Sequence, residues 1–121
     1  MAEAGRPGIS TLDATGMRVG IVAAQWNRDL CEQMLARARE VAEQTGASVD
    51  VARVAGSIEL PVVAQQFART HDAVVAIGVV IRGDTAHFDY VCQSVTDGLT
   101  RVALDEATPV GNAVPVSYTH L

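Results

Sequence analysis

Apolar stretches alternate with segments of helical period along this chain. Arg18 to Ala24 (RVGIVAA) and Ala73 to Ile81 (AVVAIGVVI) are near-continuous apolar runs with several β-branched residues. Such runs read as strands buried on both faces, the signature of a parallel sheet. Val49 to Ala55 alternates at Val49, Val51 and Arg53 and is the second strand; Pro109 to Val114 is the fourth. Between the first two strands, Leu30, Met34, Ala38, Val41 and Ala42 recur at three- and four-residue spacing and predict one apolar stripe on a first helix. Asn27 is its expected cap, Asp29 suits the positive end of its dipole, and Gly46 is its expected stop. Pro61 fits the first position of a short helix reaching about Thr70. A third helix is predicted from His87 to about residue 105, with Val91, Val95, Leu99 and Val102 facing inward.

Strands that alternate with helices imply right-handed crossovers and a parallel sheet. The expected fold class is α/β: a flavodoxin-like three-layer sandwich with a four-stranded parallel sheet in the order 2-1-3-4. That order puts the first helix on one face and the next two on the other. Met1 to Gly16 is rich in Ala, Gly, Thr and Ser without period, and is expected to be a flexible arm with Leu12 as an edge contact. Residues 17–114 form the expected domain.

Composition narrows the function classes. A length of 121 residues suits one domain, and 49% hydrophobic with 19% charged residues is globular. The net charge of -5 argues against a general binder of nucleic acid or anionic membrane. No apolar run reaches the roughly 18 residues of a membrane helix, and the N-terminus lacks the apolar core of a signal peptide. A cytoplasmic location follows as the expectation. Cys31 and Cys92 both fall in helical patterns and read as buried thiols, not a disulfide.

Ligands of open α/β sheets bind outside the carboxyl ends of the strands. Three of those ends carry unusual residues: Gln25-Trp26-Asn27, Gly56-Ser57-Ile58-Glu59, and Arg82-Gly83-Asp84-Thr85-Ala86-His87. Trp26, the only tryptophan, offers a flat face for stacking a heteroaromatic ring, or else packs against the sheet end. The Glu59 carboxylate and nearby amides suit ring or hydroxyl groups of a ligand, or Glu59 simply favours the dipole of the helix it precedes. Gly83 to Thr85, ahead of a helix, present amides, a dipole and a hydroxyl to an anion, which Asp84 opposes unless it points away. His87 is placed to move protons near neutral pH, or caps the helix on the surface. His87 and Asp89 lie two apart on a helix and share no face, so they are not a metal pair. His71-Asp72 falls at the opposite end of the sheet and reads as a surface turn. The Arg-Gly-Asp tripeptide at 82–84 is taken as coincidence.

Trp26 after the first strand, GSIELPVVAQ (56–65), HDAVVAIGVVIRGDTAHFDYV (71–91), GLTRVALD (98–105) and TPVGN (108–112) occur in the order and spacing of one enzyme family. From about Arg18 to Val114 the chain resembles the lumazine synthases, with the IRGxTxHFDYV segment the most specific part. The resemblance implies a transferase of riboflavin biosynthesis. Members condense 5-amino-6-(D-ribitylamino)uracil with 3,4-dihydroxy-2-butanone 4-phosphate to 6,7-dimethyl-8-ribityllumazine, releasing phosphate and water, with no metal or organic cofactor. Carried over by position, the resemblance puts Trp26 on the pyrimidine, Ser57, Ile58 and Glu59 on the pyrimidine and ribityl chain, and Val79, Val80 and Ile81 on the ring edge through backbone. It puts Asp84 and Thr85 at the phosphate and makes His87 the catalytic proton-transfer residue. Asn112 falls where a neighbouring subunit completes the pocket. The implied partners are the two small-molecule substrates and further copies of the chain, five in a ring and in some members a larger shell, with no nucleic acid or membrane.

The chain departs from the family pattern in places. Ala113 stands where many members have glycine, and Ala86 where proline or another small residue is usual. After Val114 it reads PVSYTHL, where members continue through the rest of strand four, a loop with a phosphate-binding arginine and two C-terminal helices. Residues 115–121 are therefore expected to be a non-native tail, with the C-terminal helices missing. The expected consequences are an uncovered apolar patch beside strands three and four, a lost charge-assisted phosphate contact, and a fragment with little or no activity. Two rival readings remain: a non-catalytic flavin or lumazine carrier that needs Trp26 and Glu59 but not His87, and a shell subunit with a vestigial site.

Overall fold

The computed structural model describes residues 12–83 and 86–117. In chain order come β1 (Arg18–Ala24), α1 (Arg28–Gln44), β2 (Ser48–Val54), a 3₁₀ turn (Ser57–Glu59), α2 (Leu60–Ala68), β3 (Ala73–Ile77), β4 (Val80–Ile81), α3 (His87–Glu106), β5 (Val110–Ala113) and β6 (Val116–Ser117). The main sheet runs β2-β1-β3-β5 with every pair parallel. Since β5 is the predicted fourth strand, this is the expected order. It is the α/β, flavodoxin-like arrangement.

Successive strand side chains point to opposite faces, so each central strand feeds two cores. On one face Val22, Val74 and Ala76 meet Leu60, Ala64 and Ala68 of α2 and Val95, Leu99 and Val102 of α3. On the other, Ile21, Ala23, Ile77 and Val79 meet Cys31 and Leu35 of α1. Glycine permits the close approach of elements on the α2 side. A Cβ on Gly20 would lie 2.5 Å from Cγ of Phe67, and one on Gly98 would lie 2.6 Å from Cγ of Pro61.

Four expectations change in part. The predicted third strand is interrupted: β3 ends at Ile77, and β4 resumes at Val80 in a separate two-stranded parallel sheet with β6. The predicted α1 stripe packs against the core at Leu30, Met34 and Ala38, but its fully buried seam is Cys31 and Leu35, and Val41 stays outside it. Leu30, Met34, Ala38 and Ala42 are half-buried. Among the described residues α1 alone lies on that face. Its stripe borders an apolar groove of about 910 Å³ whose walls include Met34, Val41, Val75, Ile77 and Ala113. Asn27 stands at the N-cap of α1 but makes no side-chain cap bond; its backbone is left-handed, at φ 56°.

His71 and Asp72 lie in a bend with Asp72 exposed, as expected, but the His71 side chain is not on the surface. That side chain is only 4% exposed, because its ring sits edge-on to Phe67 and both nitrogens are engaged. Nε2 meets Asp50 Oδ2 at 2.6 Å, while Nδ1 lies 3.1 Å from the Phe67 carbonyl and 2.8 Å from Thr70 Oγ1. Arg18 joins them through Asp50 and donates to the Thr70 carbonyl. The hydrogen bond from His71, followed by the charges of His71 and Arg18 and the bond from Arg18, holds the Asp50 carboxyl below its ordinary value. A lowered carboxyl stabilises the fold above the unfolded aspartate pKa of about 3.9, and that contribution is lost as pH falls through the folded value. Asp50→Asn is therefore expected to lower the urea midpoint at pH 7, and the difference from the unaltered chain is expected to shrink as pH falls below the unfolded aspartate value. Equal midpoints at pH 7 would show that the cluster contributes nothing.

Of the predicted arm, residues 1–11 lie outside the described residues. Ala14 N–H donates to the Thr45 carbonyl at 2.7 Å, and Ser48 N–H donates to the Met17 carbonyl at 2.9 Å. Both cysteines are free thiols, Cys31 buried and Cys92 half-buried. No described helix is long and apolar enough to cross a membrane.

Candidate active site

The carboxyl end of β1 is tied to that of β2. Gln25 N–H donates to the Val54 carbonyl at 2.9 Å and Trp26 N–H to the Ala55 carbonyl at 3.2 Å. Asn27 then turns the chain into α1 through its left-handed backbone, a conformation Asn tolerates better than most residues. Cys31 N–H closes the first turn on the Asn27 carbonyl, and Cys31 Sγ donates to the Trp26 carbonyl at 3.3 Å. Burial pushes the Cys31 thiol up, with Glu32 adding to the effect, so it stays in the S–H form that donates. The Trp26 main chain is thus fixed while its indole is 72% exposed.

The loop after β2 supplies a second wall. Gly56 N–H donates to Glu59 Oε1 at 3.0 Å, and Glu59 N–H donates to the Gly56 carbonyl at 3.2 Å. One Glu59 carboxylate oxygen is therefore engaged within the turn. A Cβ on Gly56 would stand 3.2 Å from Cδ1 of Trp26, so this glycine lets the indole lie against the turn. Ser57 is buried, and its hydroxyl donates to the Val79 carbonyl at 3.3 Å.

The third wall is the interrupted strand. Gly78 N–H donates to the Ala113 carbonyl at 3.2 Å and Val80 N–H to the Pro115 carbonyl at 3.1 Å, so this edge is held from β5 and β6. The Val79 carbonyl turns the opposite way, to Ser57. Beyond it, the Arg82 guanidinium carbon lies 5.6 Å from the centre of the Phe88 ring, a cation–π contact at the start of α3. Ala86 occupies the N-cap of α3 without a side-chain cap bond, and His87 is the first helical residue, exposed and close to the positive end of the helix dipole.

These walls enclose a cleft of about 480 Å³ lined by Trp26, Asn27, Ser57, Val79, Val80, Ile81, His87 and Val91. The structure therefore brings together six of the residues predicted for the site. Ile58, exposed, and Glu59, half-buried, share the turn with Ser57 but do not line the cleft. Asn112 sits exposed on β5 with Oδ1 accepting from Val114 N–H at 3.1 Å, also outside the cleft. Asp84 and Thr85 lie outside the described residues. Asn27, in the strand-end loop expected at the pocket and also expected as a cap, lines the cleft, as does Val91, whose helical spacing marked it as core. Among the described residues no group of three or more His, Cys, Asp or Glu is placed to hold a metal ion.

Fold and cleft together define a flavodoxin-like α/β protein with a candidate site at the carboxyl ends of its parallel strands. The sequence model of the 6,7-dimethyl-8-ribityllumazine synthase family matches residues 16–120. That match includes the stretch 115–120 set apart by sequence reasoning. A 6,7-dimethyl-8-ribityllumazine synthase of Salinispora arenicola is 65% identical over 114 residues, covering 94% of this chain and 69% of that protein. Proteins of the same name from Corynebacterium efficiens and Mycobacterium leprae are 56% and 59% identical, over 98% and 96% of this chain and 75% and 73% of theirs. The chain belongs to the 6,7-dimethyl-8-ribityllumazine synthase family.

Proposed function

We propose that the chain is a transferase of riboflavin biosynthesis that condenses 5-amino-6-(D-ribitylamino)uracil with 3,4-dihydroxy-2-butanone 4-phosphate. The observation that carries this reading is the meeting of an exposed indole, a strand edge and a histidine in one cleft. Trp26 stacks on the pyrimidine, the 79–81 edge reads its rim through main-chain groups, and His87 exchanges protons as the amine adds to the ketone and water leaves. Ser57, Ile58 and Glu59 bind the pyrimidine and the ribityl chain. Phosphate is bound around Asp84 and Thr85, and Asn112 belongs to the pocket of a neighbouring copy in a ring of five. The exposed Ile58, Val62 and Tyr90 side chains support an assembly that covers the rim of the site. Holding two substrates together supplies much of the rate, and timed proton transfer supplies a further part. The cytoplasm is the proposed location.

Trp26 makes the reading easy to test, since it is the only tryptophan. Adding 6,7-dimethyl-8-ribityllumazine is expected to quench its emission saturably, and mixing the two substrates at high dihydroxybutanone phosphate concentration is expected to yield the absorbance of the lumazine, at the low rate that a lost charge-assisted phosphate contact implies. Absence of both signals would sink the proposal. Saturable quenching without product would favour the carrier reading.

A further inference from the structure

Two walls of the cleft touch through a position that faces no ligand. Gly78 occupies the interruption between β3 and β4, and it is buried. A Cβ on Gly78 would stand 2.5 Å from Ser57 Oγ, 3.1 Å from Leu60 Cδ1 and 3.4 Å from Ser57 Cβ. The missing side chain is therefore the space into which the 57–60 segment docks. At that depth Ser57 reaches the next residue of the strand, giving its hydroxyl to the Val79 carbonyl. Leu60 fills the rest and is fully buried. The neighbouring main-chain bonds, Gly78 N–H to Ala113 and Val80 N–H to Pro115, hold the same stretch from its other edge.

We infer that Gly78 and Ser57 form a positioning contact that sets the gap between the turn carrying Ser57 and the 79–81 edge. This rests on reading that gap as the pyrimidine pocket. Neither residue needs to take part in the chemistry for the effect to reach the ligand. Any side chain on Gly78 pushes the turn outward, breaks the bond to the Val79 carbonyl and frees that carbonyl to rotate. The edge then loses the fixed orientation of its donors and acceptors. Because the clash is with the Ser57 hydroxyl before anything else, its cost depends on what stands at position 57. That dependence separates a specific contact from general damage to the strand.

The test is a double-mutant cycle read through quenching of Trp26 by 6,7-dimethyl-8-ribityllumazine, with thermal melts as the folding control. A lost or distorted hydrogen bond changes affinity by about threefold to tenfold. Gly78→Ala is expected to weaken lumazine binding about tenfold when residue 57 is serine, and less than about threefold when residue 57 is alanine. Equal penalties in both backgrounds, or none in either, would overturn the inference while leaving the site assignment intact. An unaltered chain that binds no lumazine would remove the functional reading and this inference with it. If Gly78→Ala alone melts without cooperativity, recovery of a cooperative melt in the Ser57→Ala, Gly78→Ala chain supports the contact, and failure to recover overturns it.

Discussion

A Gly20→Ala chain is expected to melt about 10 °C below the unaltered chain, followed by far-ultraviolet circular dichroism. Gly20 lies in β1 between Asp50 of β2 and Val74 of β3, so it cannot shift without moving both neighbours. The added methyl would meet Phe67 at Cγ, Cβ and Cδ1, at 2.5, 2.9 and 2.9 Å. Rotation of the ring does not relieve a contact that includes Cβ, so α2 itself has to move. The Phe67 ring also supports His71, and its carbonyl faces His71 Nδ1. Overpacking of this kind costs about 1–3 kcal/mol, and each kcal/mol is worth about 4–8 °C in a domain of this size. Gly111→Ala is the matched control. Its Cβ would meet nothing closer than 3.8 Å, so its melt is expected to stay within about 2 °C. A Gly20→Ala melt as high as the control would show that α2 is not seated on β1 as described.

The largest functional effect is expected from His87→Ala. Lumazine formation should fall by about 10²-fold or more, because a positioned proton donor or acceptor contributes roughly 10²–10⁴-fold. Binding should be little changed, since the stacking face and the strand edge belong to other residues. His87 is exposed at the first position of α3, so the truncation leaves the helix and its buried face at Phe88, Val95 and Leu99 in place. The two measurements are rate of product formation and Trp26 quenching by the lumazine. Loss of rate with retained quenching supports proton transfer at His87. Full rate in the variant would move that role elsewhere, and loss of both would make His87 a binding residue.

The fold was legible because its strands are apolar on both faces and its helices carry a clear period. Val22 and Ile21 are adjacent in sequence and buried in different cores, which is what a central parallel strand requires. The interruption after Ile77 was not legible. Gly78 and Val79 continue the apolar pattern, and nothing in it marks that Ser57 and Leu60 stand where a Gly78 side chain would lie. How deeply each residue of the α1 stripe is buried was not legible for a related reason. Periodicity finds the apolar half of a helix but not which part of it is buried deepest; here the seam runs through Cys31 and Leu35, while Met34 and Val41 border the groove. For the site, the convergence of the three strand ends followed from topology alone, and Trp26, Ser57 and His87 meet as that convergence requires. What sequence did not reveal was how side chains are spent: Ser57 on a buried carbonyl, Glu59 partly on its own turn, and His71 on Asp50 across the edge of the sheet.

The Arg18, Asp50 and His71 cluster and the cleft stand at opposite ends of the sheet. A strand as long as β1 separates them, seven residues or roughly 20 Å. Substitutions that tune the cluster act on how long the chain stays folded, and those around Trp26 and His87 act on what it binds and converts. At that separation the two kinds of change should combine additively. A lineage carrying this fold can therefore adapt to heat or acid at one end of its strands without renegotiating its chemistry at the other.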